Sequence, residues 1–166
     1  MPTHSLSTLI LVVVFTVTAA DAEVETESLS CPEQQQAFEG SCFEFVALQR
    51  SFLSAQGYCE HGGGHLAFIQ NDETQQFLQA HLLPELDWWL GLAPASFSLS
   101  LDSVVDPGTY VQGPLSWLDG SDMSYSNWLG EPVPGAGCGY ISKDSGFRWG
   151  TSSNCSQEFH FICQFG

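Results

Sequence analysis

Six cysteines constrain the fold of this chain more than any other feature of it. Cys31, Cys42, Cys59, Cys138, Cys155 and Cys163 form an even set, and all lie downstream of an apolar stretch near the N-terminus. That stretch, Leu9-Ile10-Leu11-Val12-Val13-Val14-Phe15-Thr16-Val17, has the length of a signal-peptide core and is too short to favour a membrane span. Small residues follow it, with Thr18-Ala19-Ala20 or Ala20-Asp21-Ala22 as cleavage contexts. Its n-region carries no Lys or Arg, only the α-amino group and His4. The expectation is a signal peptide over 1–22, an acidic leader over 23–30 and one folded domain over 31–166. The product would then be secreted into an extracellular, oxidising environment. An even cysteine count in a secreted chain implies disulfides. Zinc is the competing use, but no Cys-x-x-Cys pair occurs and the spacings are wide. Spacing alone leaves the pairing open.

The charge balance narrows the partners. Nineteen acidic residues stand against Arg50, Lys143 and Arg148, for a formal net charge of −16. A phosphate backbone needs Lys and Arg to displace its counterions, so nucleic acid is excluded, as is electrostatic attachment to anionic lipid. The acids are scattered singly, which fits a solvated face, with a cation or a basic partner as the alternative use. Apolar residues make up 43% of the chain, enough for a core and against disorder. At 166 residues the chain suits one domain, and no second apolar run of spanning length follows the first.

Local patterns place the elements. Cys31 to Cys42 reads as a small hairpin closed by its own cysteines, with a Gly40-Ser41 turn, followed by an aromatic strand at Phe43, Phe45 and Val46. Ser51 is set to N-cap a helix through about Cys59, with Phe52, Ala55 and Cys59 on one face, and Gly62-Gly63-Gly64 stops it. Leu66 to Ile69 reads as a short buried strand. Asn71 opens a second helix over Asp72 to His81, with acids in the first turn where the helix dipole favours them. Asp87-Trp88-Trp89-Leu90-Gly91-Leu92 reads as a central strand. Ala93 to Gly113 is weakly patterned and long for a loop, which marks an insertion. Leu115–Trp117, Gly139–Ile141, Phe147–Trp149 and His160–Cys163 read as further short strands. Helices first and strands after them give an α+β class.

Tyr125 to Cys138 stands apart. It combines a tryptophan, one carboxylate, two prolines and three glycines before its cysteine. Proline fixes φ and removes a donor while glycine admits conformations other residues avoid, so this is a long shaped loop of the kind that carries binding.

Several of these stretches resemble the C-type lectin-like domain. Trp89-Leu90-Gly91-Leu92 is similar to its Trp-Ile-Gly-Leu signature, Gly63-Gly64-His65-Leu66-Ala67 to its segment after the first helix, and Trp117-Leu118-Asp119-Gly120-Ser121 to its Trp-x-Asp-Gly-Ser segment. Asn127-Trp128-Leu129-Gly130-Glu131-Pro132 is similar to its Asn-Trp-x-x-Gly-Glu-Pro segment, and Phe161-Ile162-Cys163 to its closing strand. The wording at Gly40–Phe45, Asp87–Trp89, Tyr125–Trp128 and Asp144–Trp149 is most similar to the C-type lectin module of polycystin-family proteins. The last cysteine is followed only by Gln164, Phe165 and Gly166, so a free secreted module is expected rather than a large receptor. The resemblance implies a long-form fold of two helices and short antiparallel sheets. It also implies three disulfides: Cys59 with Cys163, Cys138 with Cys155, and Cys31 with Cys42.

It further implies glycan recognition, which in this family runs through a calcium ion. Calcium takes about six to eight oxygens. The family draws them from Glu-Pro-Asn or Gln-Pro-Asp, from a Glu just before a cysteine, and from an Asn-Asp pair after a tryptophan. Glu131 matches the first ligand and Pro132 the proline, often cis in the family. Val133 stands where an oxygen belongs, Ala136 and Gly137 where the second Glu belongs, and Gly150 and Thr151 where the Asn-Asp pair belongs. One carboxylate does not meet the demand, so no cofactor is assigned and a residual calcium site would rest on Glu131 alone. Glu131 and Asn127 are the candidate carbohydrate contacts, and an extracellular protein is the alternative partner.

Other chemistry finds little support. His61 and His65 are four apart, a metal spacing on a helix, but three glycines between them break it. No Gly-x-Ser-x-Gly elbow or phosphate-cradling loop occurs, and oxidised cysteines leave no thiol nucleophile, so no enzyme activity is expected. Trp88, Trp89, Trp117 and Trp149 fit the core, with Trp128 the most exposed of the set. Asn154-Cys155-Ser156 fits a glycosylation sequon.

Overall fold

In the computed structural model, residues 30–95, 113–132 and 135–166 are described and form two helices and nine strands. The expected signal peptide, 23–29 of the leader, 96–112 of the run after Ala93, and Val133-Pro134 lie outside the described residues. β1 (Gln36–Phe38) pairs antiparallel with β2 (Ser41–Arg50), and the Cys31–Cys42 disulfide closes this hairpin. Glu39 and Gly40 have φ of 45° and 80°. Two consecutive positive φ values mark the two-residue turn whose twist matches antiparallel strands, so the turn is Glu39-Gly40 and not the expected Gly40-Ser41, since Ser41 already pairs with Phe38.

α1 (Phe52–His61) begins where the Ser51 hydroxyl accepts the Ser54 N–H, and it buries Phe52, Ala55, Gln56 and Cys59. It stops as expected: the N–H groups of Gly62, Gly63 and Gly64 go to the carbonyls of Cys59, Glu60 and Cys59. At Gly64 a Cβ would overlap the Gln164 carbonyl, so the chain can pass only as glycine. β3 (His65–Leu66) is shorter than the strand expected over Leu66 to Ile69. Beyond it the Phe68 N–H is taken by the Gln164 side chain at 3.1 Å instead of a ladder partner. α2 (Asp72–Gln79) is capped by Asn71, whose Oδ1 accepts the Thr74 N–H at 2.7 Å. It ends short of His81 because the His81 N–H turns back to Leu78, a tighter i→i−3 closure.

β9 (Phe159–Phe165) is the organising strand. β2 occupies one of its edges, and β3 and β4 (Trp88–Trp89) share the other. β7 (Cys138–Ile141) and β8 (Trp149–Ser152) extend the sheet to the order β1-β2-β9-β4-β7-β8. Every pairing is antiparallel except β4 with β9, a parallel contact the expected antiparallel sheets did not include. A second sheet holds only β5 (Leu92–Pro94) and β6 (Leu115–Trp117). The Ala95 N–H donates to the Pro114 carbonyl at 2.9 Å, and Ala93 and Pro94, read as the start of the weakly patterned run, belong instead to β5 because they pair with Ser116 and Leu115.

The stretch Asp87 to Leu92, read as one strand, is two. At Gly91 the chain crosses from the large sheet to the small one, with its N–H donating to the Ala67 carbonyl at 2.9 Å. A Cβ there would lie 2.5 Å from the Leu66 carbonyl oxygen. β8 likewise starts at Trp149 rather than Phe147, because Phe147 has a positive φ of 62° and belongs to the preceding turn. The Cys59–Cys163 disulfide ties α1 to β9, and Cys138–Cys155 ties β7 to the loop before β9. All three bridges pair as the family resemblance implies.

Gly91→Ala should therefore destabilise the fold by about 1–3 kcal/mol through overpacking. Gly130→Ala, where nothing lies within 4 Å of the new methyl, should change it by less than about 0.5 kcal/mol. Urea unfolding of the two variants side by side checks the difference.

Candidate functional site

The loop from Tyr125 to Cys138 is hung on β8. The Trp149 N–H donates to the Asn127 carbonyl at 2.8 Å, and the Leu129 N–H donates to the Trp149 carbonyl at 2.9 Å. These two bonds make an isolated parallel bridge between Trp128 and Trp149. The Asn127 amide donates to the Phe147 carbonyl at 3.2 Å, and Arg148 reaches the Trp128 carbonyl at 3.3 Å. Tyr125, Trp128 and Trp117 meet the Trp149 ring edge-on, at centroid separations of 5.8, 5.5 and 5.8 Å.

Behind this cluster stands a residue that pattern reading did not single out. Gln75, buried in α2, accepts the Trp149 indole N–H at 2.8 Å and donates to the Phe147 carbonyl at 3.1 Å and to Gln79 at 2.8 Å. The available signal was a polar residue on the inward face of the helix, beside Thr74 and three residues before Leu78. The Phe147 carbonyl thus collects both Gln75 and Asn127, and the loop frame is fastened to α2.

Glu131 lies beyond that frame. It is exposed and makes no hydrogen bond to another described residue. The Pro132 peptide is trans, unlike the bond common in the family, since no peptide among the described residues is cis. The surrounding positions do not fit a calcium ion. Ala136 is buried and offers no side-chain oxygen. Gly137 admits no side chain, because a Cβ would overlap the Ser152 carbonyl. At Gly150 a Cβ would press on the Tyr140 ring at 3.2 Å. Among the described residues no three His, Cys, Asp or Glu side chains are placed to share a metal ion.

The histidines serve packing. The His65 Nδ1 sits 2.8 Å from the Leu66 carbonyl and its ring stacks on Phe68 at 4.1 Å. His81 stacks on Phe45 at 5.1 Å, and His160 packs on Trp88 at 5.2 Å. Trp89, Trp117 and Trp149 are core residues, while Trp128 is half-buried. Trp117 leaves its indole N–H without an acceptor. Asn154 is exposed, with its Oδ1 accepting the Ser156 N–H at 3.1 Å.

A cleft of about 330 Å³ lies apart from the loop, between the β1–β2 turn, His65, the start of α2 and Asp119. The Ser121 hydroxyl, donating at 2.6 Å, and the Ser121 N–H at 2.9 Å hold the Asp119 carboxyl below its ordinary range. Partial burial and the Asp72 carboxylate, 3.1 Å from its hydroxyl, push Tyr125 up.

Three variants separate frame from surface. Gln75→Ala strands a buried indole N–H and should cost about 2–3 kcal/mol in urea unfolding, whereas Asn127→Ala, losing one partly buried bond, should cost about 1 kcal/mol. Because the folded Asp119 carboxyl titrates low, its stabilisation is complete above the unfolded value near about 3.9 and is lost as pH falls through the folded one. Ser121→Ala should move the Asp119 midpoint upward, read by carboxyl NMR titration.

Comparison with known proteins agrees with this architecture. Residues 48–165 match the family model described as Lectin C-type domain. Asialoglycoprotein receptor 1 of Mus musculus is 27% identical over 150 residues, covering 84% of this chain and 46% of the receptor, so the chain spans about half of that relative's length. Regenerating islet-derived protein 3-gamma of Rattus norvegicus is 26% identical over 154 residues, covering 88% of this chain and 83% of that protein. Among solved structures, the mouse scavenger receptor C-type lectin carbohydrate-recognition domain aligns with a TM-score of 0.63 at 27% identity, covering 81% of this chain and 97% of that one. With the family match running from the end of β2 to the end of β9, through both helices and the whole Tyr125 to Cys138 loop, this chain belongs to the C-type lectin domain family.

Proposed function

We propose that this domain is an extracellular recognition module that engages its target without calcium. The observation that carries the reading is Gly137: where a ligand carboxylate would be needed, the chain runs too close to the Ser152 carbonyl to hold any side chain. The target class is carbohydrate, supported by a relative named as a carbohydrate-recognition domain and by the exposed, unpaired carboxylate of Glu131. In this reading Glu131 accepts sugar hydroxyls directly, and Asn127 contributes from the base of the loop, where its amide holds the Phe147 carbonyl. Catalysis is not part of the proposal, since these relatives carry the names of receptors, lectins and islet-derived proteins. Secretion through a signal peptide over 1–22, ahead of a leader over 23–30, belongs to the same reading. A kinship with the lectin module of polycystin-family proteins rests on the wording of four short stretches alone.

A second reading, a protein target, is favoured by Leu129. It is 61% exposed two residues before Glu131, an apolar contact on the same loop that suits a protein surface.

A ligand that binds only the native state raises its melting temperature, so millimolar calcium should leave melting unchanged relative to chelator. A rise in calcium would overturn the calcium-free reading. In chelator, a glycan array should show binding that Glu131→Gln weakens without changing the melt. A flat array would remove the carbohydrate reading and leave the protein one.

A further inference from the structure

The cleft beside Asp119 shares no residue with the Tyr125 to Cys138 loop, and its acidic side chains have no Lys or Arg opposite them. Two carboxylates line it, Glu39 from the β1–β2 turn and Asp119 from the turn after β6, and no Lys or Arg does. Asn71 gives one amide N–H to Glu39 Oε2 at 3.3 Å, and Gln164 gives one of its own to the Ser41 hydroxyl at 3.2 Å. Their oxygens go to the N–H groups of Thr74 and Phe68. The neutral lining side chains, with Ser41, Gln70 and Thr74 among them, can both donate and accept, so the charge of the cleft rests on the two carboxylates. Each keeps accepting capacity: Ser121 engages Oδ1 of Asp119, and Asn71 engages Oε2 of Glu39.

The Leu66 carbonyl near the His65 Nδ1 can only accept, so Nδ1 carries a proton and turns toward the backbone. Aromatic rings form part of the remaining wall, from Phe38, Phe43 and Phe68, with the His65 ring stacked on Phe68. A volume of about 330 Å³ is at the small end for a ligand site. The group that complements such a cleft is a planar cation with many donors, no acceptor and a face that stacks on aromatic rings. Guanidinium has all of these properties, whereas ammonium has no planar face.

We propose that this cleft is a guanidinium-binding site, which takes an arginine side chain between Glu39 and Asp119 against the Phe68–His65 stack. It does not depend on how the loop engages its own target, and the two can fail separately because they share no residue. The low titration of Asp119 keeps its carboxylate charged across the neutral range, as the site requires.

The test titrates the intact secreted protein with N-acetyl-argininamide, followed by calorimetry and by amide NMR. Saturable binding is expected, with shifts at Glu39, His65, Phe68 and Asp119. N-acetyl-citrullinamide, a neutral near-isostere, should bind at least about tenfold more weakly, because it lacks the charge-assisted bonds. Glu39→Gln and Asp119→Asn, the latter keeping an amide oxygen for the Ser121 N–H, should each weaken arginine binding by about tenfold. A capped peptide with one central arginine separates the sources: tighter binding than the amino-acid amide assigns the guanidinium to a protein partner, and equal binding assigns it to a small molecule. No saturable binding, equal binding of the citrulline analogue, or full binding by both variants overturns the site. If a variant loses its near-ultraviolet circular dichroism, the arginine–citrulline comparison on the unmodified protein decides.

Discussion

The last strand of this chain is the middle of its sheet, and everything else depends on that. β9 gives one edge to β2 and divides the other between β3 and β4. None of those pairings can form until the end of the domain has met its beginning or its middle. The Cys59–Cys163 bridge, with a separation of 104 residues, makes that meeting covalent at the point where α1 packs behind β9. In the chain-entropy view a loop of this size is worth roughly 4–5 kcal/mol, more than either shorter bridge. The core follows from the same closure: Phe161 and Cys163 pack with α1, Leu66 and Trp89, while Ile162, next to them on the strand, joins the cluster around Phe43, Leu78 and Trp149. One strand thus feeds two apolar clusters through its alternating faces.

The second cluster explains how the Tyr125 to Cys138 loop keeps its shape with Glu131 as its one carboxylate. Calcium sites combine carboxylate oxygens with side-chain and backbone carbonyls and water. This loop is built from other material: backbone bonds between Asn127, Leu129 and Trp149, an indole bonded to Gln75, and edge-on rings around Trp149. Such a frame does not require an oxygen at position 137 or 150, and at 137 the packing against the Ser152 carbonyl is too close for a side chain. Glu131 is left at the rim as a lone carboxylate, available to a ligand rather than spent on the fold.

The acid excess takes on a local meaning in the cleft next to Asp119. Over the surface at large the carboxylates are spread, and spread charge is a matter of solubility. Glu39 and Asp119 are far apart in the chain, yet the closure of β1–β2 against β9 and the turn after β6 brings both to one concavity lined with aromatic rings. A carboxylate beside phenyl rings is a different object from one facing only water.

Much of this was legible in the sequence, and the boundary is physical. Ser51 and Asn71 as caps, Gly62 to Gly64 as a stop, the hairpin turn before Ser41 and the inward face of α1 rest on interactions within a few residues, so the residues declare them. The disulfide pairing and the ligand-poor loop were legible only through family resemblance, since spacing alone does not choose among pairings. What the tertiary structure decided lies between segments distant in the chain. Asp87 to Leu92 looks like one strand until Gly91 is found against the Leu66 carbonyl, and Gln75 looks like any helix residue until Trp149 arrives to use it. The cleft had no local signal at all, because its two carboxylates belong to turns that only the closed sheet brings together. Composition, caps and turns were determined residue by residue; the site was decided by which distant backbones β9 brought side by side.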